Sequence, residues 1–222
     1  MIPIKICGIT NLEDARFAVN SGASALGFIF YDKSPRYILP ETASQIAEDL
    51  KGQVSFTGVF VNETLDYIHA VKEEIGLNFI QLHGNESPEY CRAVQLPVIK
   101  VFRVAPDFDA ETMRSYDVHA FLFDTYKKRK PGGTGDIFNW NIIFDLPTDT
   151  PIILSGGLSV ENILDAINAV CPLAVDVNSG VESKPGIKDE KKMKALFDFL
   201  KDTESTYNPY KIPIVREGSC EL

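Results

Sequence analysis

The sequence predicts an α/β protein that folds as a (β/α)8 barrel, the TIM-barrel architecture, with a short C-terminal extension. Three observations indicate this fold. Eight short β-rich runs alternate with helix-like segments along most of the 222 residues. The runs are continuously apolar in the middle, which is typical of parallel strands covered on both faces. Parallel strands need crossover connections, and a sheet of eight of them can close on itself.

The predicted strands follow one another from residue 4 to residue 178. They comprise residues 4–9, 24–30, 54–61, 78–83, 98–103, 120–124, 151–155 and 174–178. A doubly wound open sheet is the structural alternative. It is disfavoured because no GxGxxG motif follows the first strand.

Helix signals fall between these strands. Thr10 followed by Glu13 has the capping-box pattern at the start of the first helix. Apolar residues at spacings of three and four precede Gly76, which is placed to end a later helix. Ser87-Pro88 and Ser159 are the predicted starts of two more helices.

The chain is expected to form a barrel domain at residues 1–201 and a C-terminal tail at residues 202–222. The tail has no clear amphipathic period and contains Pro213 and Gly218. We therefore expect extended chain in the tail.

The charge balance excludes several classes of partner. Lys and Arg number 22 against 31 Asp and Glu, for a net charge of -9, so nucleic-acid binding is not expected. No apolar run approaches the ~20 residues of a membrane helix, and the first residues lack a signal-peptide pattern. We expect a cytoplasmic protein with neither nucleic-acid nor membrane partners, and either a monomer or a homodimer.

The cysteines and histidines show no metal-site pattern. There is no CxxC motif or Cys/His spacing of the zinc type, so neither a zinc site nor a disulfide framework is expected. Cys91 and Cys171 are expected to be packing or surface residues, and Cys220 lies in the tail. The three histidines, His69, His83 and His119, do not cluster at strand ends. No metal or cofactor is therefore expected.

Two glycine-containing turns are candidates for phosphate binding. In a (β/α)8 barrel the active site lies at the carboxyl ends of the strands, and phosphate often binds after strands seven and eight. Ser155-Gly156-Gly157 and Ser179-Gly180 stand at those two positions. Glycines there leave backbone N–H groups unobstructed. Either turn alone could simply be tight, but the pair favours a phosphate site.

Two residues at strand ends are candidates for acid–base chemistry. Cys7 ends strand one beside Gly8, and a thiolate at a barrel mouth can act as a base or nucleophile. Asp124 ends strand six after an apolar run, which favours a general acid over solvated surface. A helix-capping or loop-bracing role is the alternative for Asp124.

Three further residues are assigned to substrate binding. Arg36, in the loop after strand two, either holds a carboxylate or phosphate or is an exposed loop arginine. His83 is expected to orient a loop by hydrogen bonding. Asp176 shares the face of Asn178 two residues on, so it points inward, where it either contacts substrate or orients a neighbour.

A cationic segment at residues 127–130 precedes a glycine-rich segment at residues 131–135. Such a charge run is usually solvated. The composition also fits a lid that closes over an anionic ligand.

Ordered sequence blocks run from residue 4 to about residue 200. They are residues 5–10, 27–30, 34–37, 58–62, 81–84, 123–125, 132–135 with Phe138 and Trp140, 154–158, and 176–182 with Pro185-Gly186 and Lys188-Asp189. In this order the blocks resemble those of the phosphoribosylanthranilate isomerase family. Each block is modestly specific, whereas the ordered set is highly specific.

The resemblance implies an Amadori rearrangement in tryptophan biosynthesis, with no cofactor. In that reaction N-(5-phosphoribosyl)anthranilate becomes 1-(2-carboxyphenylamino)-1-deoxyribulose 5-phosphate. The resemblance makes Asp124 the general acid for the ring oxygen and Cys7 the general base for the C2′ proton. It also implies that Arg36 holds the anthranilate carboxylate and that the glycine turns hold the phosphate.

Two other functions are alternatives. A different phosphosugar barrel enzyme, such as the histidine-pathway isomerase or a pentose-phosphate epimerase, would use a carboxylate pair or a metal in place of Cys7 and Asp124. A catalytically silent barrel could serve as a scaffold, but intact Cys7 and Asp124 argue against that interpretation.

Overall fold

Eight parallel strands, paired in chain order from β1 to β8 and back to β1, close into a barrel. The computed structural model describes residues 1–104, 108–125 and 149–206. Each predicted strand overlaps an observed one, so the predicted (β/α)8 fold is confirmed. The strands are β1 Ile4–Cys7, β2 Ala25–Ile29, β3 Ser55–Phe60, β4 Phe79–Leu82, β5 Val98–Val104, β6 Ala120–Thr125, β7 Ile152–Ser155 and β8 Ala174–Val177.

Helices in the described ranges cover the outside of the barrel. They are α1 Leu12–Ser21, α2 Pro40–Asp49, α3 Leu65–Ile75, α4 Pro88–Ala93, α5 Ile163–Val170 and α6 Glu190–Thr206. A 3-10 helix, Ala110–Ser115, connects β5 to β6. After β8 a 3-10 turn, Ser179–Val181, leads into a hairpin of β9 Glu182–Lys184 and β10 Ile187–Lys188. None of the described helices is long and apolar enough to cross a membrane.

Local sequence signals explain most helix ends. Gly76 ends α3 with a left-handed φ of 72° and donates its N–H to Lys72 O, as predicted. Ser87 caps α4 by accepting from Tyr90 N, with Pro88 at the first helical position, also as predicted.

Two predicted helix starts are wrong. The cap of α1 is Asn11, whose side chain accepts from Asp14 N at 2.8 Å. Thr10 instead donates its hydroxyl to Gly186 O. This long-range hydrogen bond replaces the predicted capping-box hydrogen bond. The helix expected at Ser159 begins only at Ile163, after a turn.

The barrel interior has an apolar layer and a polar layer. Side chains alternate between the two faces of a strand, and one small buried cluster fills the apolar layer: Ile99, Val101, Ala120, Leu122 and Ile153. The polar layer contains Lys5 on β1, Gln81 on β4 and Asp176 on β8, all 5% exposed or less. Lys5 Nζ donates to Gln81 Oε1 at 2.8 Å. Because β2 and β3 separate β1 from β4, this hydrogen bond crosses the interior.

The last helix corrects the expectation for the tail. Helix α6 runs to Thr206, so the prediction of extended chain from residue 202 is wrong for residues 202–206. The predicted boundary after residue 201 falls inside this helix. The first part of the helix packs against the barrel through four buried residues, Met193, Leu196, Phe197 and Leu200. The helical backbone continues beyond these residues to Thr206. Residues 207–222 lie outside the described residues.

One expectation about the cysteines is also wrong. Cys7 and Cys91 are free and buried, and Cys91 is the packing residue that the sequence predicts. Cys171 is disulfide-bonded, although the spacing of the cysteines gives no sign of a disulfide.

Candidate active site

Two adjoining cavities open at the carboxyl ends of the strands. The larger has a volume of about 830 Å³ and the smaller about 180 Å³. The larger falls within the size range of small-molecule sites. Both cavities are lined by Ile29, Arg36, Val59, His83, Asp124 and Asn178. The structure therefore brings candidate residues from β1 to β8 to one place, as a barrel predicts.

Cys7 ends β1 and lines the smaller cavity. Its side chain fills space that a glycine on β2 leaves open, since a Cβ at Gly27 would lie 2.8 Å from Cys7 Sγ. Burial raises the pKa of the Cys7 thiol, as does the charge of Asp176, while Lys5 and Lys188 lower it. The net shift is upward, which favours the thiol over the thiolate.

Lys188, on β10, supports Cys7 from the side of the hairpin. Its ammonium donates to Cys7 O at 2.6 Å and to Asn178 Oδ1 at 3.1 Å. It also pairs with Glu182 Oε1 at 3.2 Å. Burial lowers the pKa of Lys188, and Glu182 opposes that shift. The sequence gives Lys188 no role because 181 residues separate it from Cys7.

Arg36 is held by Glu182 rather than left as a free loop arginine. Its Nε lies 2.9 Å from Glu182 Oε1, and its Nη2 lies 2.7 Å from Oε2. Such a forked contact fixes the plane of the guanidinium. Gly8 makes room for it, because a Cβ at this φ of +71° would lie 2.8 Å from Arg36 Cδ. Arg36 still lines both cavities.

Asp124 ends β6, which β7 and β8 separate from β1 in the barrel order, and it lines the same smaller cavity as Cys7. Its side chain is 33% exposed, so it reaches solvent and any bound ligand. His83 Nε2 lies 3.5 Å from Asp124 Oδ2. His83 thus stands beside the candidate acid, as well as in the loop that the sequence expects it to orient.

A buried ion pair builds the loop that carries His83. Lys100 Nζ lies 2.7 Å from Glu86 Oε2 and donates to Gly84 O at 2.8 Å. Glu86 Oε1 accepts from Asn62 N at 2.8 Å and from Gly84 N at 3.1 Å. Sequence reasoning missed Glu86 and Lys100. The signal was present, since a lysine inside an apolar strand needs a buried partner.

The glycine turns after β7 and β8 lie together. Gly156 and Gly157 have φ values of 92° and 68°, which side chains rarely adopt. Gly180 approaches the β7 turn so closely that a Cβ there would lie 1.9 Å from Leu158 O. Gly156, Gly157 and Ser179 line the smaller cavity.

Asp176 points inward, as the face it shares with Asn178 predicts. It is 4% exposed and lies 2.8 Å from Lys5 Nζ. Between the two alternatives, the structure shows contact with a neighbour. Asp176 also lines the smaller cavity, beside Cys7.

The cationic segment 127–130 and the glycine-rich segment 131–135 lie outside the described residues. In the part of the chain that is described, no group of three or more His, Cys, Asp and Glu side chains is arranged to hold a metal ion.

The protein has a closed barrel, and a thiol and a carboxyl group line one cavity at the carboxyl ends of its strands. This arrangement places it in the class of (β/α)8-barrel enzymes. The family model described as N-(5'phosphoribosyl)anthranilate (PRA) isomerase matches residues 4–199. The N-(5'-phosphoribosyl)anthranilate isomerase of Pelobacter propionicus is 46% identical over 205 residues, which cover 92% of this chain and 98% of that protein.

Solved structures agree. A structure of monomers generated from the dimeric phosphoribosylanthranilate isomerase of Thermotoga maritima is 40% identical, with a TM-score of 0.77. A phosphoribosylanthranilate isomerase in complex with reduced 1-(o-carboxyphenylamino)-1-deoxyribulose 5-phosphate is 42% identical with a TM-score of 0.78. Each match covers 91% of this chain and all of the other. The chain belongs to the N-(5'-phosphoribosyl)anthranilate isomerase family and is an isomerase, as the ordered sequence blocks predict.

Proposed function

We propose that this isomerase carries out its Amadori rearrangement with Asp124 as general acid and Cys7 as general base. The substrate is N-(5'-phosphoribosyl)anthranilate and the product is 1-(2-carboxyphenylamino)-1-deoxyribulose 5-phosphate. One observation carries the assignment of roles. Cys7 and Asp124 come from β1 and β6, which β7 and β8 separate in the barrel, yet they line the same cavity of about 180 Å³. An acid and a base can therefore flank one sugar.

The first step opens the ribose ring. Asp124 donates a proton to the ring oxygen, the bond from C1′ to that oxygen breaks, and the nitrogen lone pair forms an iminium at C1′. The side chain suits this role because it is partly exposed at the cavity. His83, 3.5 Å away, can fix the orientation of the carboxyl group.

The second step moves a proton from carbon. The iminium acidifies the C2′ proton, which passes to the Cys7 thiolate, and the electron pair of the broken bond forms an enolamine. The C2′ hydroxyl of this enol then loses its proton as C1′ gains one, which leaves the ketone. Asp124 ends without its proton and Cys7 ends with one, so a proton returned through solvent resets the site.

The proposed contact for the anthranilate carboxylate is Arg36. Glu182 occupies Nε and Nη2 of the guanidinium, so Nη1 is the group that we assign to the substrate. A guanidinium whose plane is already fixed loses less side-chain entropy when a ligand binds.

The proposed phosphate site is formed by the turns after β7 and β8, with Gly156, Gly157, Ser179 and Gly180. Left-handed glycines and the close approach of Gly180 to Leu158 O support it, because they bring two backbone segments together without side chains between them. Binding energy from the phosphate is remote from the reacting carbon and can orient the sugar.

The proposal is tested by adding the purified enzyme to freshly made N-(5'-phosphoribosyl)anthranilate and following the loss of its fluorescence. We expect Cys7→Ala and Asp124→Asn each to lower turnover by about 10²–10⁴-fold without unfolding the protein. Cys91→Ala is the matched control, since Cys91 is free and buried but lines neither cavity. Turnover near the wild-type rate in either site variant contradicts the proposed roles.

We also propose that the enzyme is a monomer or a homodimer in the cytoplasm. The dimer is supported by the Thermotoga maritima relative, whose solved monomers were generated from a dimeric enzyme. Light scattering during size-exclusion chromatography measures the mass in solution, and a larger assembly contradicts this expectation. Recovery in the membrane or secreted fraction of the cells contradicts the cytoplasmic location.

A further inference from the structure

A buried lysine lies beside the proposed base. Lys5 is 5% exposed and lies 2.8 Å from the Asp176 carboxylate. It donates to Gln81 Oε1 at 2.8 Å. Burying a charge costs free energy that a single ion pair often fails to offset. A lysine in the interior of the barrel therefore calls for an explanation beyond stability.

Lys5 and Cys7 occupy one small space. They are two residues apart on β1, so their side chains project from the same face of the strand. Cys7 pairs in register with Gly27 on β2. A Cβ at Gly27 would lie 2.8 Å from Cys7 Sγ and 3.1 Å from Lys5 Cε. The thiol and the end of the Lys5 side chain thus meet above this glycine.

The contacts of Lys5 differ from those of Lys100, because one of its partners is the Cys7 thiol. An ammonium group has three N–H donors. Lys100 directs its donors to Glu86 and to the carbonyl groups of Leu82 and Gly84. Lys5 has a hydrogen bond to Gln81, an ion pair with Asp176 and a side-chain hydrogen bond with Cys7.

We propose that Lys5 is a positioning residue for Cys7, whose buried ammonium, held by Asp176 and Gln81, stabilises the thiolate that removes the C2′ proton. This inference rests on the proposed role of Cys7 as the base. Lys5 does not act on the substrate. It acts through the charge state of its neighbour.

Charged groups of both signs act on the Cys7 thiol. Burial and Asp176 raise the pKa of the thiol, whereas Lys5 and Lys188 lower it. Lys188 lies on β10 and forms an ion pair with Glu182. Arg36 is a third cation whose charge interacts with Cys7. Lys5 differs from these cations because it comes from the interior side, below the cavity.

The test is the pH dependence of Cys7 alkylation by iodoacetamide without substrate, followed by mass spectrometry of the Cys7 peptide. Only the thiolate reacts. Lys5→Met and the milder Lys5→Gln should move the titration of Cys7 to higher pH. For each pH unit by which the titration moves, alkylation at a given pH should become about tenfold slower.

Lys100→Met is the matched control, since it also breaks a buried ion pair. Lys100 lowers the pKa of Cys91, which burial raises to about 11. Lys100→Met should therefore slow the alkylation of Cys91 and leave that of Cys7 unchanged, while the Lys5 variants should do the reverse. A reciprocal pattern of this kind is not expected from general loosening of the fold.

Two results would overturn the inference: a wild-type titration of Cys7 in folded Lys5→Gln, or an equal shift of Cys7 in Lys100→Met. In turnover, the acid limb of the pH profile of kcat/KM should move to higher pH in Lys5→Gln, and an unmoved limb counts against the inference. Since alkylation needs no substrate, failure of the proposed function shows separately, as full turnover by Cys7→Ala.

Discussion

The buried Glu86–Lys100 pair gives a stability prediction that can be worked from the structure. Glu86→Ala removes the charge 2.7 Å from Lys100 Nζ, and the two side chains are 1% and 2% exposed. Removing one partner of a buried pair costs about 3–5 kcal/mol, because the other charge stays buried without compensation. The N–H groups of Asn62 and Gly84 also lose their acceptor.

The assay is urea unfolding followed by circular dichroism. We expect the free energy of unfolding to fall by about 3–5 kcal/mol at an unchanged m-value. Glu86→Leu combined with Lys100→Met removes both charges and should cost less than Glu86→Ala alone. Glu89→Ala is the matched control. Its partner Arg92 lies 2.9 Å away but both side chains are exposed, so the loss should stay below about 1 kcal/mol.

The reasoning is refuted if Glu86→Ala loses no more stability than Glu89→Ala. A double variant less stable than Glu86→Ala would also refute it. Either result would mean that leaving Lys100 buried without a partner does not lower the free energy of unfolding.

Three further predictions concern the site. Arg36→Met should raise KM about tenfold or more, the equivalent of one lost charge-assisted hydrogen bond; steady-state kinetics with an unchanged KM would contradict the carboxylate contact. Gly180→Ala places a Cβ 1.9 Å from Leu158 O, so it should cost about 1–3 kcal/mol and raise KM; a wild-type melting temperature would rule out the close approach. Burial raises the pKa of the Glu182 carboxyl group, but the hydrogen bonds of Arg36 and the charge of Lys188 together lower it by more, so the pKa lies below its ordinary value. Its contribution to stability is therefore present above the ordinary carboxyl pKa and lost as pH falls through the lowered one, so Glu182→Gln should flatten acid unfolding in that window, and an unchanged acid transition would contradict this.

The barrel could be predicted from sequence because its signals are local. Apolar runs, Gly76 and Ser87-Pro88 each act within a few residues of the element that they shape. The wrong start of α1 shows the limit of this reasoning. Thr10 is used by Gly186, 176 residues away, and no local pattern reveals that contact.

The candidate site was predictable where barrel topology alone places residues. Cys7 and Asp124 follow from their positions at strand ends. The residues that hold them in place are determined by long-range pairing. Glu182 meets Arg36 across 146 positions, and Lys188 meets Cys7 across 181. A charged residue inside an apolar strand, such as Lys5, is a sequence signal that indicates a buried charged partner.

The central claim is that Asp124 opens the ring and Cys7 removes the C2′ proton. The most direct measurement is the deuterium isotope effect on kcat with substrate deuterated at C2′, in Cys7→Ser and in Asp124→Asn. A serine hydroxyl ionises far less readily than a cysteine thiol, so less of the anionic base is present; cleavage of the C2′ bond should limit Cys7→Ser, and the deuterated substrate should react more slowly. Ring opening should limit Asp124→Asn, and the isotope effect should vanish. An isotope effect in Asp124→Asn that is absent from Cys7→Ser would contradict the account.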